Sequence, residues 1–529
     1  MNDVIVSPHF LSTDIGSNVL KNGGNAVDAA IATNLIQGIV APETCGIGGD
    51  LFAIVWDPEQ NKPTFLDASG YAGSKVNPKN LKGLTSIPLN HPYSVTVPGA
   101  VAGWFELSKK YGTIPIQDIL ELGIELCHIG FDVSEELNKS LKAHEDELGG
   151  DASAFSFYKN NIPYGVGEKI RRPQLGKTLE LLQKEGLEYF YQGEIAKSIS
   201  ESVDSALTLE DLSNYKAEWK EPLGVNIFGY DAWTSQPPTQ GYLTLTTLKA
   251  YELMQSKELD LHQLIEVYRI FASDRDNILY DYKNKLDNFI GTDLNYIKEK
   301  IKLYNPKKSE LFNFPNPHGG GTAYMNTVDR NGLGVSLIQS NFHGIGSRIG
   351  VGNYGFFLHN RGCGFNLNQH HPNFLKSGNK PLHTLSPTLW SKDDSLEFII
   401  GTRGGRYQPQ LLAQVILPYL LDIESFENII KNPRWVIDYF DSNKSSSIKF
   451  EKINKKDLEY LKKKNHGVIN ENEYKNASRC RVCWNHRIST CKKNDAHLAQ
   501  KKGFVRDLQN KIISVRHSLQ LACTRKNST

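Results

Sequence analysis

The sequence predicts a layered α/β sandwich and not a doubly wound sheet, on two observations. Its strand-like runs come in clusters, and helical patterns stand before and after those clusters. Composition agrees, since 529 residues with 39% apolar and 22% charged content suffice for a sizeable core. No apolar run approaches the roughly 18–20 residues of a membrane span. The opening MNDVIVSPHF lacks the basic and apolar regions of a secretory signal, so the chain as written is expected in the cytoplasm.

The elements follow in order. GGNAVDAAIATNLIQGIV (23–40) places small and apolar residues at helical spacing after Asn25, with Asp28 in the favourable first turn. GIGGDLFAIVWD (46–57) is a glycine turn feeding an apolar strand. VPGAVAGWFELSKKYG (97–112) reads as Pro-Gly, a helix and a closing glycine. Between 117 and 260 helical patterns such as PQLGKTLELLQKEG (173–186) alternate with polar loops, and LHQLIEVYRIFASDRDNILY (261–280) is a long amphipathic helix. LYNPKKSELFNFPNPHGGG (303–321), dominated by Pro, Asn and Gly, reads as an exposed, mobile linker. TAYMNTV and GVSLIQS then flank Asn331-Gly332, a strong hairpin signal. LEFIIGT (396–402) is a further strand, and QPQLLAQVILPYLL (408–421) a helix. No internal repeat is visible.

The net charge of +2 conceals an asymmetry. From Tyr474 onward stand 13 Lys+Arg and two Asp+Glu, a balance of +11 that leaves −9 for residues 1–473. An acidic body gives no support to nucleic-acid binding. Cys45, Cys127 and Cys363 are scattered, as suits free thiols in a reducing compartment, whereas Cys480, Cys483, Cys491 and Cys523 crowd into the tail. A zinc module built from Cys480, Cys483, Cys491 and His486 or His497 fits no ordinary finger spacing. The preferred reading of the tail is out-of-frame or otherwise aberrant sequence.

The chemistry concentrates at HGGGTAYMNTVDRNG (318–332). A threonine hydroxyl is a weak nucleophile and needs a base. Cleaving the peptide bond before Thr322 supplies one, because the freed α-amine, with a reference pKa near 7.7–8.0, can serve its own hydroxyl. A flexible segment upstream and a strand downstream suit such a cleavage site. The alternative is that Gly319–Gly321 merely shape a loop and Thr322 is an ordinary strand residue. At GTRGGRYQPQ (401–410), a strand–Gly–Gly–helix junction can turn backbone N–H groups into a cleft to hold an oxyanion.

Across about residues 5–440 the chain resembles the γ-glutamyltransferase family of N-terminal-nucleophile hydrolases. The resemblance rests on collinear segments that include GGNAVDAAIATNLIQGIVAPETCGIGGDLFAIVWD, VPGAVAGW, PPTQG, FASDRD, TAYMNTVDRNGLGVSLIQSN, NKPLHTLSPT and GTRGGRYQPQ. It implies an α+β fold, a four-layer αββα sandwich made as one precursor that cleaves itself between Gly321 and Thr322. Residues 1–321 would be the large piece and 322–470 the small one, with 471–529 an atypical basic tail. Thr322 would be the nucleophile, Ser340 the hydroxyl that positions it, and Gly404 and Gly405 the oxyanion hole. The reaction implied is hydrolysis or ping-pong transfer of the acyl group of a small amide, with no cofactor and no metal.

Family members acting on glutathione hold the substrate with an arginine and an aspartate; alignment puts Ser69 and Cys363 at those positions. The family's carboxylate-binding serine pair falls on His383-Thr384. Its asparagine falls on Phe342, with Asn341 one place off. Serine cannot imitate the bidentate grip of arginine on a carboxylate, so poor glutathione turnover is expected. The pattern is more similar to acylase-like and oxamate-amidohydrolase-like members. Arg403, Arg406 and His383 are the cations expected to meet an acidic substrate. The partner implied is a small-molecule amide, with neither nucleic acid nor membrane. The two pieces are expected to stay associated, a homodimer of the pair being left open. The competing expectation is a family member inactivated by its altered C-terminus, acting as a binding protein.

Overall fold

Side-chain alternation along the strands decides what each sheet packs against. A computed structural model describes residues 3–283, 285–310, 321–437, 447–470 and 482–486. In chain order the strands of the two main sheets begin with β1 (Val4–Val6), β2 (Asp50–Asp57), β3 (Lys62–Ala68), β4 (Glu218–Lys220), β5 (Leu223–Ile227) and β6 (Tyr230–Thr234). They continue with β7 (Gly321–Val328), β8 (Gly334–Phe342), β9 (Thr388–Lys392), β10 (Ser395–Thr402) and β11 (Val482–His486). The first sheet runs β1-β7-β8-β2-β3-β4 and the second β11-β10-β9-β6-β5.

The helices used below are α1 (Phe10–Lys21), α2 (Ala26–Val40), α3 (Ala100–Tyr111), α4 (Pro173–Glu185), α5 (Tyr242–Leu253), α6 (Leu261–Ser273), α7 (Gln408–Leu420) and α8 (Lys455–Lys463). The stretch 261–280, read as one long helix, ends as α6 at Ser273 and continues as a separate short helix over Arg275–Ile278; the other stretches quoted as helical form α2, α3, α4 and α7.

Alternate residues of β2 separate two cores. Leu51, Ala53 and Val55 join a core with α1, α2 and α3, while Phe52, Ile54 and Trp56 meet Tyr324, Ile338, Leu389 and Ile399 between the sheets. On the far side of the second sheet Trp390, Phe398 and Ile400 pack with Leu412 and Ile416 of α7 and with residues of α5 and α6. The fold is thus α+β, with sheets and helices segregated into layers. Every residue of α2 is buried, which explains its small residues. Its start is set by a capping box: Asn25 accepts from the N–H groups of Val27 and Asp28, and Asp28 accepts from Asn25 N–H.

The β7–β8 hairpin is adjacent in the first sheet and turns at Asn331-Gly332, where Gly332 takes φ 91°. Asp329 Oδ1 accepts from Asn331 N–H at 2.8 Å, and its Oδ2 accepts from Ala26 N–H at 3.1 Å, tying the turn to the start of α2.

Several regions depart from the sequence reading. Within 117–260, read mostly as helical patterns and polar loops, lie the strands β4, β5 and β6. The tail after about 476 shows no periodicity, yet Val482–His486 adds an antiparallel strand to the open edge of β10, where backbone pairing needs no sequence signature. Of the zinc-module residues, Cys480, Cys491 and His497 lie outside the described residues, and Cys483 and His486 belong to that strand. The linker 303–321 is described as far as 310, where it is fastened to the body as set out below. Gly319 and Gly320 lie outside the described residues. Among the described residues no helix is long and apolar enough to cross a membrane.

Candidate active site

The first sheet ends in an irregularity at the glycine–threonine junction. Gly321 pairs with Phe342 and Thr322 with Ser340, so Asn341 is the extra residue of a bulge. Bulges re-aim side chains. Phe342 beside it takes φ 74°, a conformation that favours glycine. Gly321 has no alternative: a Cβ there would stand 2.2 Å from Glu43 O and 2.7 Å from Gly344 O, both backbone atoms.

Three hydrogen bonds meet on Ser340 Oγ, which is buried. It donates to Gly321 O at 2.6 Å, accepts from Phe342 N–H at 2.8 Å, and lies 3.1 Å from Thr322 Oγ1. A hydroxyl has one proton. With Ser340's proton on Gly321 O, Thr322 must be the donor in the third contact. Ser340 therefore orients the threonine hydroxyl and polarises the carbonyl that precedes it.

Across the sheet Ser340 pairs with Asp50 of β2. Asp50 is fully buried, with Arg361 Nε donating to its Oδ2 at 2.7 Å and His359 Nδ1 lying 3.1 Å from the same oxygen. Burial opposes its charge, but His359, His383 and Arg361 together hold its carboxyl well below the usual carboxylate range. The Arg361 guanidinium also stacks 4.3 Å over the Phe342 ring and points Nη1 at Thr384 Oγ1, 3.5 Å away. His383 lies edge-on to Phe52, and its Nδ1 is 3.9 Å from Asp50. Burial, then the Arg361 charge, lowers its pKa to about 3, so it is neutral near pH 7. Asp50 Oδ1, Arg361 Nη2 and both His383 ring nitrogens have no hydrogen-bond partner among the described residues. These atoms keep hydrogen-bonding capacity that the described residues do not use.

Gly405 reaches this group through Gln240. Its Nε2 donates to Thr384 O at 2.9 Å and to Gly405 O at 2.8 Å. Gly404 and Gly405 take φ 131° and 55°, conformations that only glycine adopts readily. Gly401 of β10 lies against Tyr324, two residues beyond Thr322, where a Cβ would stand 2.1 Å from the ring. The end of β10 thus crosses the start of β7. A chain of contacts runs from Thr322 through Ser340, Asp50, Arg361, Thr384 and Gln240 to Gly405.

The remaining sequence-assigned residues are distributed differently. Ser69 is buried and donates to Asp67 Oδ1 at 2.5 Å; Lys220 and Lys380 meet the other oxygen of Asp67 at 2.7 and 2.9 Å. Cys363 packs with Ile87, Phe365 and Leu375, its thiol pushed up to about 12 by burial. Asn341, next to Ser340 on the strand, turns the other way and donates to Pro42 O at 3.1 Å. Arg403 pairs with Glu136 at 3.2 Å and Arg406 with Asp276 at 3.4 Å. Of the expected set, Thr322, Ser340, His383, Thr384, Gly404 and Gly405 come together. Asp50, His359, Arg361 and Gln240 were missed. One signal was available, an aspartate heading the otherwise apolar run DLFAIVW.

A strand-end threonine preceded by an obligatory glycine and backed by a hydroxyl is the arrangement of an N-terminal-nucleophile hydrolase. The chain belongs to the gamma-glutamyltranspeptidase family, whose model matches residues 12–496. It is 31% identical over 451 residues to the glutathione hydrolase-like YwrD proenzyme of Bacillus subtilis, covering 82% of this chain and 84% of that one. It is 29% identical over 468 residues to the oxamate amidohydrolase proenzyme of Klebsiella pneumoniae, covering 84% and 87%. Among solved structures, cephalosporin acylase from Bacillus halodurans superposes with a TM-score of 0.81 at 28% identity, over 91% of this chain and 92% of that one. Within the family the chain stands nearer the acylase and oxamate-amidohydrolase branch. Membership supports hydrolase or acyltransferase activity in the broad sense, through a threonine nucleophile.

Proposed function

We propose that the protein is a self-processing amidohydrolase that cuts a small, carboxylate-bearing amide through an acyl-enzyme on Thr322. The observation that carries this reading is the convergence on Ser340 Oγ of Gly321 O and Thr322 Oγ1. In the first reaction Thr322 Oγ attacks the Gly321 carbonyl carbon while Ser340 Oγ–H holds the developing oxyanion. The peptide nitrogen leaves as the α-amine of Thr322, and water hydrolyses the resulting ester to free the Gly321 carboxylate. That amine then takes the Thr322 hydroxyl proton in turnover, with the N–H groups of Gly404 and Gly405 as oxyanion donors. The two pieces stay together because β7 remains paired between β1 and β8. The same reading takes the fold as a four-layer αββα sandwich, supported by one core between the sheets and one on each outer side.

For the substrate, Arg361 replaces Arg403 and Arg406 as the cation of choice. All three face an acid, but Arg361 is fully buried beside Thr384 and, with Nε on Asp50, keeps Nη2 without a hydrogen-bond partner among the described residues. The Klebsiella relative is named for hydrolysis of oxamate, a small amide with a carboxylate, which agrees with this choice. A hydrolysis panel on the self-processed protein tests it: oxamate, acyl amides, γ-glutamyl-p-nitroanilide and glutathione. Acidic amides are expected to lead, and Arg361→Met to raise their KM more than it lowers kcat. Glutathione as the best substrate, or an uncharged amide insensitive to Arg361→Met, contradicts the assignment.

A further inference from the structure

Residues 305–310, the last described before the junction, are held to the body at Asn305, Pro306, Ser309 and Glu310. His262 Nε2 donates to Asn305 O at 2.9 Å, and Lys464 Nζ donates to Pro306 O. Ser309 N–H donates to Lys464 O at 2.6 Å, and Ser309 Oγ donates to Glu266 Oε1 at 2.9 Å. Glu310 N–H donates to Glu266 Oε2 at 3.0 Å. Behind these contacts lies a buried cluster that no step of the proposed chemistry uses: His262, Glu266 and Arg269 of α6, and His466 just after α8.

Its protons can be assigned. Asn305 O only accepts, so His262 Nε2 carries hydrogen, and in neutral His262 Nδ1 is then an acceptor. His466 Nε2, 2.7 Å away, must donate to it, which leaves His466 Nδ1 to accept from Arg269 Nη1 at 3.3 Å. The same Nη1, with two hydrogens, lies 2.7 Å from Glu266 Oε1 and 2.6 Å from Ser309 Oγ, so the longer His466 contact shares one of those hydrogens. Ligand-type atoms of His262, Glu266 and His466 lie within 4.8 Å of one another. A dication is nonetheless disfavoured, because the facing imidazole nitrogens are spent on each other and a guanidinium already stands against the carboxylate.

The contacts span the proposed cut. His262, Glu266, Arg269 and the 305–310 arm lie before Thr322; Lys464 and His466 lie after it. We propose that this cluster is the fastening that keeps the freed C-terminal arm of the large piece on the small piece once the chain has cleaved itself, an inference that rests on the self-cleavage read above.

Acid should undo it. The groups facing His466 are His262, Glu266 and Arg269 from α6 and Lys464 from its own turn; from the arm, Tyr304 packs against His262 and Glu310 N–H meets Glu266. A proton added to either histidine sets N–H against N–H at the 2.7 Å contact or beside Arg269. Burial, then Arg269 and His262, lowers the His466 pKa to about 3, so the neutral form is favoured throughout the range above it.

Hydrogen exchange read by mass spectrometry on the full, self-processed chain tests this. At pH 7 residues 305–310 should exchange slowly in the wild type. In His466→Gln and in Glu266→Gln they should exchange at least about tenfold faster, with β7 and β8 and the turnover per processed molecule unchanged. From pH 7 to 4, protection of the wild-type arm should fall after correction for intrinsic rates, and that fall should vanish in His466→Gln. The wild-type titration stands alone if either variant fails to fold. Equal arm protection in all three proteins, or an unchanged wild-type arm down to pH 4, overturns the inference. Zinc retained at one per chain and raising protection overturns it in favour of a metal centre. A wild-type chain that never splits on a denaturing gel contradicts instead the self-cleavage on which it rests.

Discussion

Two buried clusters in this molecule use the same ingredients, histidine, arginine and a carboxylate, and differ in what they leave unused. Around His262 and His466 all four imidazole nitrogens are engaged, and both oxygens of Glu266 accept hydrogen bonds. Around Asp50 the Arg361 fork touches the carboxylate with one nitrogen only. Asp50 Oδ1, Arg361 Nη2 and both nitrogens of His383 have no hydrogen-bond partner among the described residues. Residue type does not tell the two apart; the bookkeeping of donors and acceptors does. The first spends its imidazole nitrogens and carboxylate oxygens on the proposed fastening, and the second keeps several of its own for the proposed substrate.

The comparison can be strained by mutation. The largest effect is expected from Arg361→Leu, which leaves Asp50 buried without its closest partner; stability in urea should fall by about 3–5 kcal/mol. A loss below 1 kcal/mol would mean that Asp50 does not depend on this pair. Next, Gly404→Ala should lower kcat by about 10²–10³, or about 2.7–4 kcal/mol of barrier, with self-cleavage retained, because Ser340 and not Gly404 faces the Gly321 carbonyl. A variant that neither cleaves nor turns over would erase the distinction between the two oxyanion donors. Smaller still, Gly332→Ala at φ 91° should cost about 1 kcal/mol or more of stability without touching chemistry, as a hairpin-turn control.

Acid separates the clusters from ordinary surface titration. His383 and His466 are each held to about 3, below the reference value of 6.5, so the unfolded chain binds more protons than the folded one between those limits. Stability from this source is fully present above pH 6.5 and is lost as the pH falls towards 3. Urea midpoints measured at pH 7, 5.5 and 4 should decline, and His466→Gln should remove part of the decline.

Much of this was legible in the sequence where the physics is local. The helix that starts after Asn25, the turn at Asn331-Gly332 and the strand leading to Gly404 each depend on residues a few positions apart, and each was read from the sequence. Thr322 and Ser340 followed from the family resemblance and are side by side. What escaped is long-range. Asp50 and Arg361 are 311 positions apart, and no periodicity links them. Ser69 and Cys363 were assigned by column, yet Ser69 serves Asp67 and Cys363 fills a small apolar cluster. The linker composition of 303–310 read as loose because its anchors, Glu266 and Lys464, lie in other parts of the chain.

The central claim is that the chain breaks itself at one bond and works through the hydroxyl thereby exposed. Intact mass spectrometry of the purified full chain beside Thr322→Ala tests it most directly. The account predicts two wild-type pieces, the smaller beginning at Thr322, and a single whole, inactive Thr322→Ala chain. A wild-type chain that stays whole yet hydrolyses its amide, or a Thr322→Ala chain that still splits before residue 322, would contradict it.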